Sequence, residues 1–278
     1  MSVEICAIAS GSNGNCYYVG NENEAVLVDA GISCKEIELR MRRSGLSLEK
    51  VKAVFVSHEH TDHISGLAVL AKKYKLPVFI SERTLKGSRL WFEKACLNHF
   101  TANEEVVIGD LSVNPFSKLH DAADPYSFTI TSTGITVGVI TDIGSACDNV
   151  VHHFSKCHAA FLESNYDEKM LDKGRYPIYL KNRIRNGQGH ISNRQALELF
   201  KKYRSASLSH LLLSHLSHNN NCPNLVSELF TSNAGGVQMI VTSRTKETAV
   251  YKIGLLSKMK TNNYDVLVQQ PQLAFSFA

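Results

Sequence analysis

The run Val51-Lys52-Ala53-Val54-Phe55-Val56 leads directly into Ser57-His58-Glu59-His60-Thr61-Asp62-His63. The first part is a strand signal, a short apolar run of β-branched and aromatic residues without Gly or Pro. The second places four potential metal ligands between positions 58 and 63. On an extended backbone, residues two apart point to the same side, so His58 and His60 face one point. Asp62 and His63 follow where the chain leaves the strand and can bend back toward it. Three His and one Asp suit Zn²⁺ or a similar divalent ion. A catalytic mononuclear site uses three protein ligands and keeps one position open. Four in one loop therefore predict a two-metal centre with further ligands downstream. Ile64, Leu67, Ala68 and Ala71 then recur at helical spacing, with Pro77 beyond the end of that helix. A strand that ends in ligands and feeds a helix is an α/β arrangement, in which sites gather at strand ends.

The rest of the chain fits that class. Val3–Ala9, Cys16–Val19 and Ala25–Asp29 read as strands, and a helix runs from an N-cap at Ser33 to Ser44, stopped by Gly45. Short β-rich runs at Glu105–Ile108, Leu111–Val113, Tyr126–Ser132 and Ile135–Ile140 predict an antiparallel meander with turns at Gly109-Asp110 and Thr133-Gly134. Strand and helix then alternate: Ala159–Leu162, Ser192–Tyr203, Leu208–Leu213, Pro223–Phe230 and Val237–Val241. One domain over residues 1–254 is expected, followed by a polar, aperiodic tail over 255–278. No run of 18 apolar residues predicts a membrane span, and the N-terminus does not read as a signal peptide. Seven scattered Cys without a C-x-x-C pair fit reduced thiols in a cytoplasm. A formal charge of +4 is too small to identify a nucleic-acid binder by itself.

Four more polar residues stand where strands finish: Asp29, His120, Asp142 and His215. This recurrence of strand and then ligand resembles the five motifs of the metallo-β-lactamase superfamily. The resemblance implies a four-layer αβ/βα sandwich, two mixed sheets flanked by helices, with metals at one edge of the sheets. It implies His58, His60 and His120 around one metal and Asp62, His63 and His215 around the other. Asp142 would bridge them, and Asp29 would orient the ligand loop from behind. Either Zn²⁺ or Mn²⁺ suits such a set.

The C-terminal half resembles the nuclease-type branch. Leu162-Glu163-Ser164-Asn165, Gly189-His190-Ile191-Ser192-Asn193 and Ser214-His215-Leu216-Ser217 occur in its order. With Ala9-Ser10-Gly11-Ser12-Asn13-Gly14-Asn15, His120-Asp121-Ala122-Ala123-Asp124-Pro125, Tyr176-Pro177 and His215-Leu216-Ser217-His218-Asn219-Asn220-Asn221, they are similar to the YycJ/WalJ-like group over about residues 1 to 252. That group implies a metal-dependent exonuclease, acting on DNA more readily than RNA, in a bacterial cytoplasm. Asp62, His190 and Glu163 are the expected catalytic side chains, His190 facing the scissile phosphate and Glu163 holding its ring. The interval from Asp142 to His215, 73 residues, is too short for the extra domain of ribonuclease J. Substrate must then be gripped by the core fold. Lys173, Arg175, Lys181, Arg183 and Arg185 cluster before His190 and suit a phosphate backbone. Ser12 and Asn13 in the glycine-rich turn could offer N–H groups to a phosphate, and Asn219 is placed with them by its motif. The alternative is a small-molecule hydrolase acting on simple phosphodiesters, thioesters or lactones.

Overall fold

A computed structural model describes residues 2–255. Residues 256–278, nearly all of the expected tail, lie outside the described part.

Three strands open the chain, β1 (Val3–Ala9), β2 (Cys16–Gly20) and β3 (Ala25–Val28), joined as antiparallel neighbours. Helix α1 (Cys34–Arg43) follows, and Ser33 caps it by accepting from the Glu36 N–H. The apolar run becomes β4 (Val51–Phe55), parallel to β3, and delivers the His motif at its C-terminal end. The helix expected after the motif is in fact two pieces, α2 (Thr61–Ile64) and α3 (Leu67–Tyr74). The break falls at Gly66, where a Cβ would lie 1.9 Å from the Ile32 carbonyl oxygen, so the chain touches a neighbouring loop there. Three short elements missing from the sequence reading come next: β5 (Val78–Phe79), α4 (Glu82–Ser88) and β6 (Leu97–Asn98).

The meander is β7 (Val106–Ile108), β8 (Leu111–Ser117), β9 (Tyr126–Ser132) and β10 (Ile135–Ile140), antiparallel throughout. β8 runs four residues past the expected Val113 and includes Pro115. Its partner β7 stops opposite Val113, so the missing proline N–H faces no strand. Then follow α5 (Asp148–Phe154), β11 (Ala159–Glu163), α6 (Glu168–Lys173), α7 (Ile178–Arg185), α8 (Asn193–Tyr203), β12 (His210–Ser214), α9 (Pro223–Thr231), β13 (Gln238–Val241) and β14 (Tyr251–Ile253). Of these, α5, α6, α7 and β14 were not expected.

Two seven-stranded mixed sheets result, ordered β14-β1-β2-β3-β4-β5-β6 and β13-β12-β11-β10-β9-β8-β7. Three apolar layers show how they stack. Val26, Phe55, Val113, Phe128 and Phe161 belong to the cluster between the sheets, where Tyr17 and Phe161 meet with ring centroids 4.9 Å apart. Ile37, Met41, Leu67 and Leu70 of α1 and α3 cover the outer face of the first sheet. Val150, Leu199, Phe200, Val226 and Phe230 of α5, α8 and α9 cover the second. Helix, sheet, sheet and helix make the four-layer sandwich that the family resemblance implied. The parallel strands β3, β4, β10, β11 and β12 finish near one another, which is what assembles the site.

Candidate metal centre

Each candidate ligand follows a strand: Asp29 after β3, the His motif after β4, His120 after β8, Asp142 after β10 and His215 after β12. Asp29, Asp142 and His215 all adopt the left-handed backbone region, with φ of 63°, 53° and 57°. Ordinary residues seldom adopt it, and here it swings each side chain off its strand. The motif loop is tied down from the opposite side. Asn15 N–H donates to the Asp62 carbonyl at 2.7 Å and Ala30 N–H to the His63 carbonyl at 2.9 Å. Gly31 lies so close that a Cβ would sit 1.7 Å from the Asp62 carbonyl oxygen.

Donor atoms within 4.8 Å of one another form overlapping groups. His58, His60 and His120 make one and Asp62, His63 and His215 another. His58, His63 and Asp142 link them, and Asp142 recurs with Glu163, His190 and His215. All seven expected metal ligands are thus brought together.

The hydrogen bonds behind the rings decide which nitrogens face inward. Asp29, fully buried, accepts from Ser57 N–H at 2.8 Å, from Ser57 Oγ at 2.8 Å and from His63 Nδ1 at 2.7 Å. Because the Ser57 hydroxyl proton is committed to Asp29, Ser57 Oγ accepts from His58 Nδ1, 2.8 Å away. His120 Nδ1 donates to the Gly189 carbonyl at 2.8 Å. His58, His63 and His120 therefore each turn Nε2 toward the cluster, where His58 Nε2 lies 3.1 Å from His60 Nδ1 and His63 Nε2 lies 3.0 Å from Asn15 Nδ2. His120 Nε2 and Asp142 Oδ2 are buried without a hydrogen-bond partner. Buried polar atoms left unpaired are costly, and a cation among them would satisfy both. The donor set and these two orphaned atoms fit divalent metal ions.

The electrostatics divide the histidines of the cage. Burial pushes His58 well below its usual value, with His63 adding to this, and burial pushes His120 down to about 3. That favours the neutral form in which imidazole ligates; against the lowering by burial, Asp142 instead holds His63 well above its usual value and His215 up at about 10, so a cation must displace protons from these two. Burial opposes ionisation of Asp142, yet His215 and His63 hold its carboxyl well below the usual range.

Beside this cluster Glu163 is fully buried. Its Oε2 accepts from Ile143 N–H at 2.9 Å, and its Oε1 lies 2.7 Å from His190 Nδ1 and 3.2 Å from His215 Nδ1. Burial would raise the Glu163 carboxyl, but His190 and His215 together outweigh it and hold the group at about 2. His190 lines a cleft of about 240 Å³ together with His60, Asp62, Asp142 and His215.

Among the expected substrate contacts, Ser12 and Arg183 line this cleft, whereas Asn13, Arg175, Lys181 and Asn219 do not. The basic cluster is also largely committed within the chain. Arg183 bonds to Asp121, Arg185 to Asp172 at 2.7 Å, and Lys181 to the Asp172 carbonyl at 2.8 Å. Asn219 donates to Tyr176 Oη at 3.0 Å, and Asn13 accepts from Arg244. Asn165, Tyr176 and Asp121 line the cleft without having been singled out individually in the sequence. Lys118, two residues before His120, was also missed. It is buried, and its Nζ donates to the Thr141 carbonyl at 2.7 Å, next to Asp142. Burial lowers its ammonium while Asp142, Asp29 and Glu163 work the other way.

Residues 24–216 match the family model described as a β-lactamase superfamily domain. The chain is 34% identical over 244 residues to an exodeoxyribonuclease YycJ from Bacillus anthracis, covering 85% of this chain and 92% of that one. It is 29% identical over 253 residues to the exodeoxyribonuclease WalJ of Streptococcus pneumoniae, covering 87% and 94%. The metallo-β-lactamase fold protein YhfI from Bacillus subtilis superposes with a TM-score of 0.69 at 19% identity, over 91% of this chain and all of that one. The fold, the cage of donors and these relatives agree: the chain belongs to the β-lactamase superfamily domain family, as a metal-dependent hydrolase.

Proposed function

We propose that the protein is a phosphodiesterase acting on nucleic acid, a DNA exonuclease, built as one hydrolase domain over residues 1–254 and using two divalent ions, Zn²⁺ or Mn²⁺. The observation that carries this is the Glu163–His190 pair, 2.7 Å between carboxylate and ring, at the edge of the donor cage. Simple hydrolysis of an activated ester needs no separate proton donor, whereas expelling an alkoxide from a phosphodiester does. The exodeoxyribonuclease relatives support the same substrate class. A cytoplasmic location is part of the proposal, supported by seven free cysteines.

His58, His60 and His120 would hold one ion, and Asp62, His63 and His215 the other, with Asp142 between them. When bound, such ions supply a nucleophile at neutral pH and a Lewis acid for a phosphoryl oxygen. Asp29 keeps the His63 ring turned so that Nε2 faces the site. Glu163 accepts from His190 Nδ1, which leaves His190 Nε2 as the nitrogen that carries or releases a proton. Protonated there, His190 donates to the leaving 3′ or 5′ oxygen, and the buried carboxylate offsets the imidazolium charge. Asp62 would serve both as a ligand and as a carboxylate lining the cleft beside the attacked phosphorus. Ser12 and Arg183 are the cleft-lining candidates for phosphate contact, while Asn13, Arg175, Lys181 and Asn219 would act further along a bound strand.

The test is incubation of the metal-loaded protein with end-labelled DNA, end-labelled RNA, bis-p-nitrophenyl phosphate and a thioester. Release of nucleotides from DNA ends, abolished by chelation, is expected. Turnover of the thioester alone would overturn the proposal.

A further inference from the structure

Helix α4 sits directly on the metal loop, although none of its residues lines the cleft. A Cβ on Gly87 would lie 3.1 Å from Glu59 Cγ and 3.5 Å from Ala123 Cβ, so the helix touches the motif between His58 and His60. Ala123 N–H donates to Glu59 Oε1 at 2.8 Å, and Thr84 Oγ1 donates to the Asp124 carbonyl at 3.1 Å. Glu59 is thus the clamp that joins the motif loop, the His120 loop and α4.

The outer surface of this clamped helix and the turn after it is basic. Arg83, Lys86, Arg89 and Lys94 are all exposed, against Glu82 and Glu93. The one salt bridge these cations make among the described residues is Lys86 to Glu82, at 4.0 Å. This contrasts with α7, whose cations are held by Asp121 and Asp172. On the turn stands Trp91, the only Trp of the chain, 79% exposed. Its neighbours are anchored: Phe92 is buried in the cluster outside the first sheet, and Leu90 packs against it. An indole kept in water on a fixed base is a platform rather than a frayed end. No other large apolar side chain is exposed between Glu82 and Leu97, so this segment itself offers a single aromatic face among cations rather than an apolar patch.

We infer that α4 and the 89–94 turn form a landing surface for single-stranded nucleic acid entering the cleft, with a base stacked on Trp91 and backbone phosphates along Arg83, Lys86 and Arg89. Cations along a strand path plus an aromatic face are what single strands bind without sequence preference. This inference rests on the nuclease reading and names the strand state it acts on.

A single Trp makes the test direct. Chelator-treated protein, which cannot cleave, is titrated with oligothymidylate of about ten nucleotides, within the usual single-strand site size. Saturable quenching of tryptophan fluorescence, weakened by salt and by Arg83→Glu with Arg89→Glu, is expected. In the metal-loaded protein, Trp91→Ala should raise KM for single-stranded DNA about tenfold, with kcat and the hydrolysis of bis-p-nitrophenyl phosphate unchanged. Trp91→Phe should restore most of the loss. Unchanged fluorescence with oligothymidylate, or quenching by anionic phosphatidylserine vesicles alone, would overturn the inference. So would wild-type KM in Trp91→Ala. Cleavage of DNA alongside any of these leaves the nuclease reading standing; absence of cleavage of any nucleic acid removes that reading whatever the fluorescence does.

Discussion

Asp29 makes no contact with the cleft, yet it receives three hydrogen bonds from the loop that does. Asp29→Ala strands the Ser57 N–H and hydroxyl and the His63 Nδ1 in a dry interior, and should cost roughly 3 kcal/mol of stability. With His63 free to rotate, metal affinity should fall about 10- to 100-fold. Denaturant unfolding in chelator measures the first effect, and metal titration the second. Loss of affinity without loss of stability would mean that Asp29 touches the ion itself. His190 gives a prediction of a different kind. His190→Ala should lower kcat on DNA about 10²–10⁴-fold, the usual worth of a positioned proton donor, with metal content unchanged. On bis-p-nitrophenyl phosphate the loss should be much smaller, because nitrophenolate leaves without a proton. Equal losses on both substrates would assign His190 to the metal instead. At this scale the sequence pointed to the side chains that converge where candidate ligands cluster locally, as in His58 to His63, and where a polar residue closes an apolar run, as with Asp142 and His215. Lys118 was invisible because nothing in a sequence marks an ammonium as buried. The commitment of Arg183 to Asp121, across 62 positions, was equally hidden.

Elements matter here as brackets for the loop between β4 and α2. The 30–31 corner after β3 is one bracket, and α4 is another. Gly31→Ala would drive a methyl into the Asp62 carbonyl, 1.7 Å away. The backbone must shift, at a cost of about 3 kcal/mol, and Asp62 must move with it. A folded but metal-poor protein with a lowered Tm is expected from thermal unfolding and metal analysis; wild-type metal content would show that the corner does not set the loop. The long, strongly patterned elements were legible, β1, β9 and β10 to the residue. The elements missed were short ones, with two to eight residues, such as β5, α4, α6 and α7. Such pieces hold their shape through tertiary contacts rather than their own periodicity. Gly66 shows the converse: a helical pattern continued through it, but its N–H donates to the Ala30 carbonyl at 2.9 Å while the Asp62 carbonyl, its partner in a continuous helix, accepts from Asn15 N–H.

For the whole molecule, two sheets bring five strand ends to one place, and the sandwich accepts the cost of gathering Asp62, Asp142, Glu163 and several imidazoles there. Cations bound only by the folded state should repay part of that cost. At about a hundred times Kd, a single site adds about 2.7 kcal/mol. Chelation should therefore lower Tm measurably as well as abolish hydrolysis, and both should return when Zn²⁺ or Mn²⁺ is restored. An unchanged Tm would imply that the cage is equally content empty. The architecture was implied by the family resemblance that the order of motifs along the chain carries. The proposed strand path across the surface could not be inferred from the sequence, because it depends on which cations the fold leaves unpaired.

The central claim is that the seven side chains form a single cage for a pair of ions. Anomalous scattering from crystals grown with Mn²⁺ or Zn²⁺ tests it most directly. Two peaks about 3.5–4 Å apart are predicted, one among His58, His60 and His120 and one among Asp62, His63 and His215, with Asp142 reaching both. A single peak, or peaks away from Asp142, would contradict it.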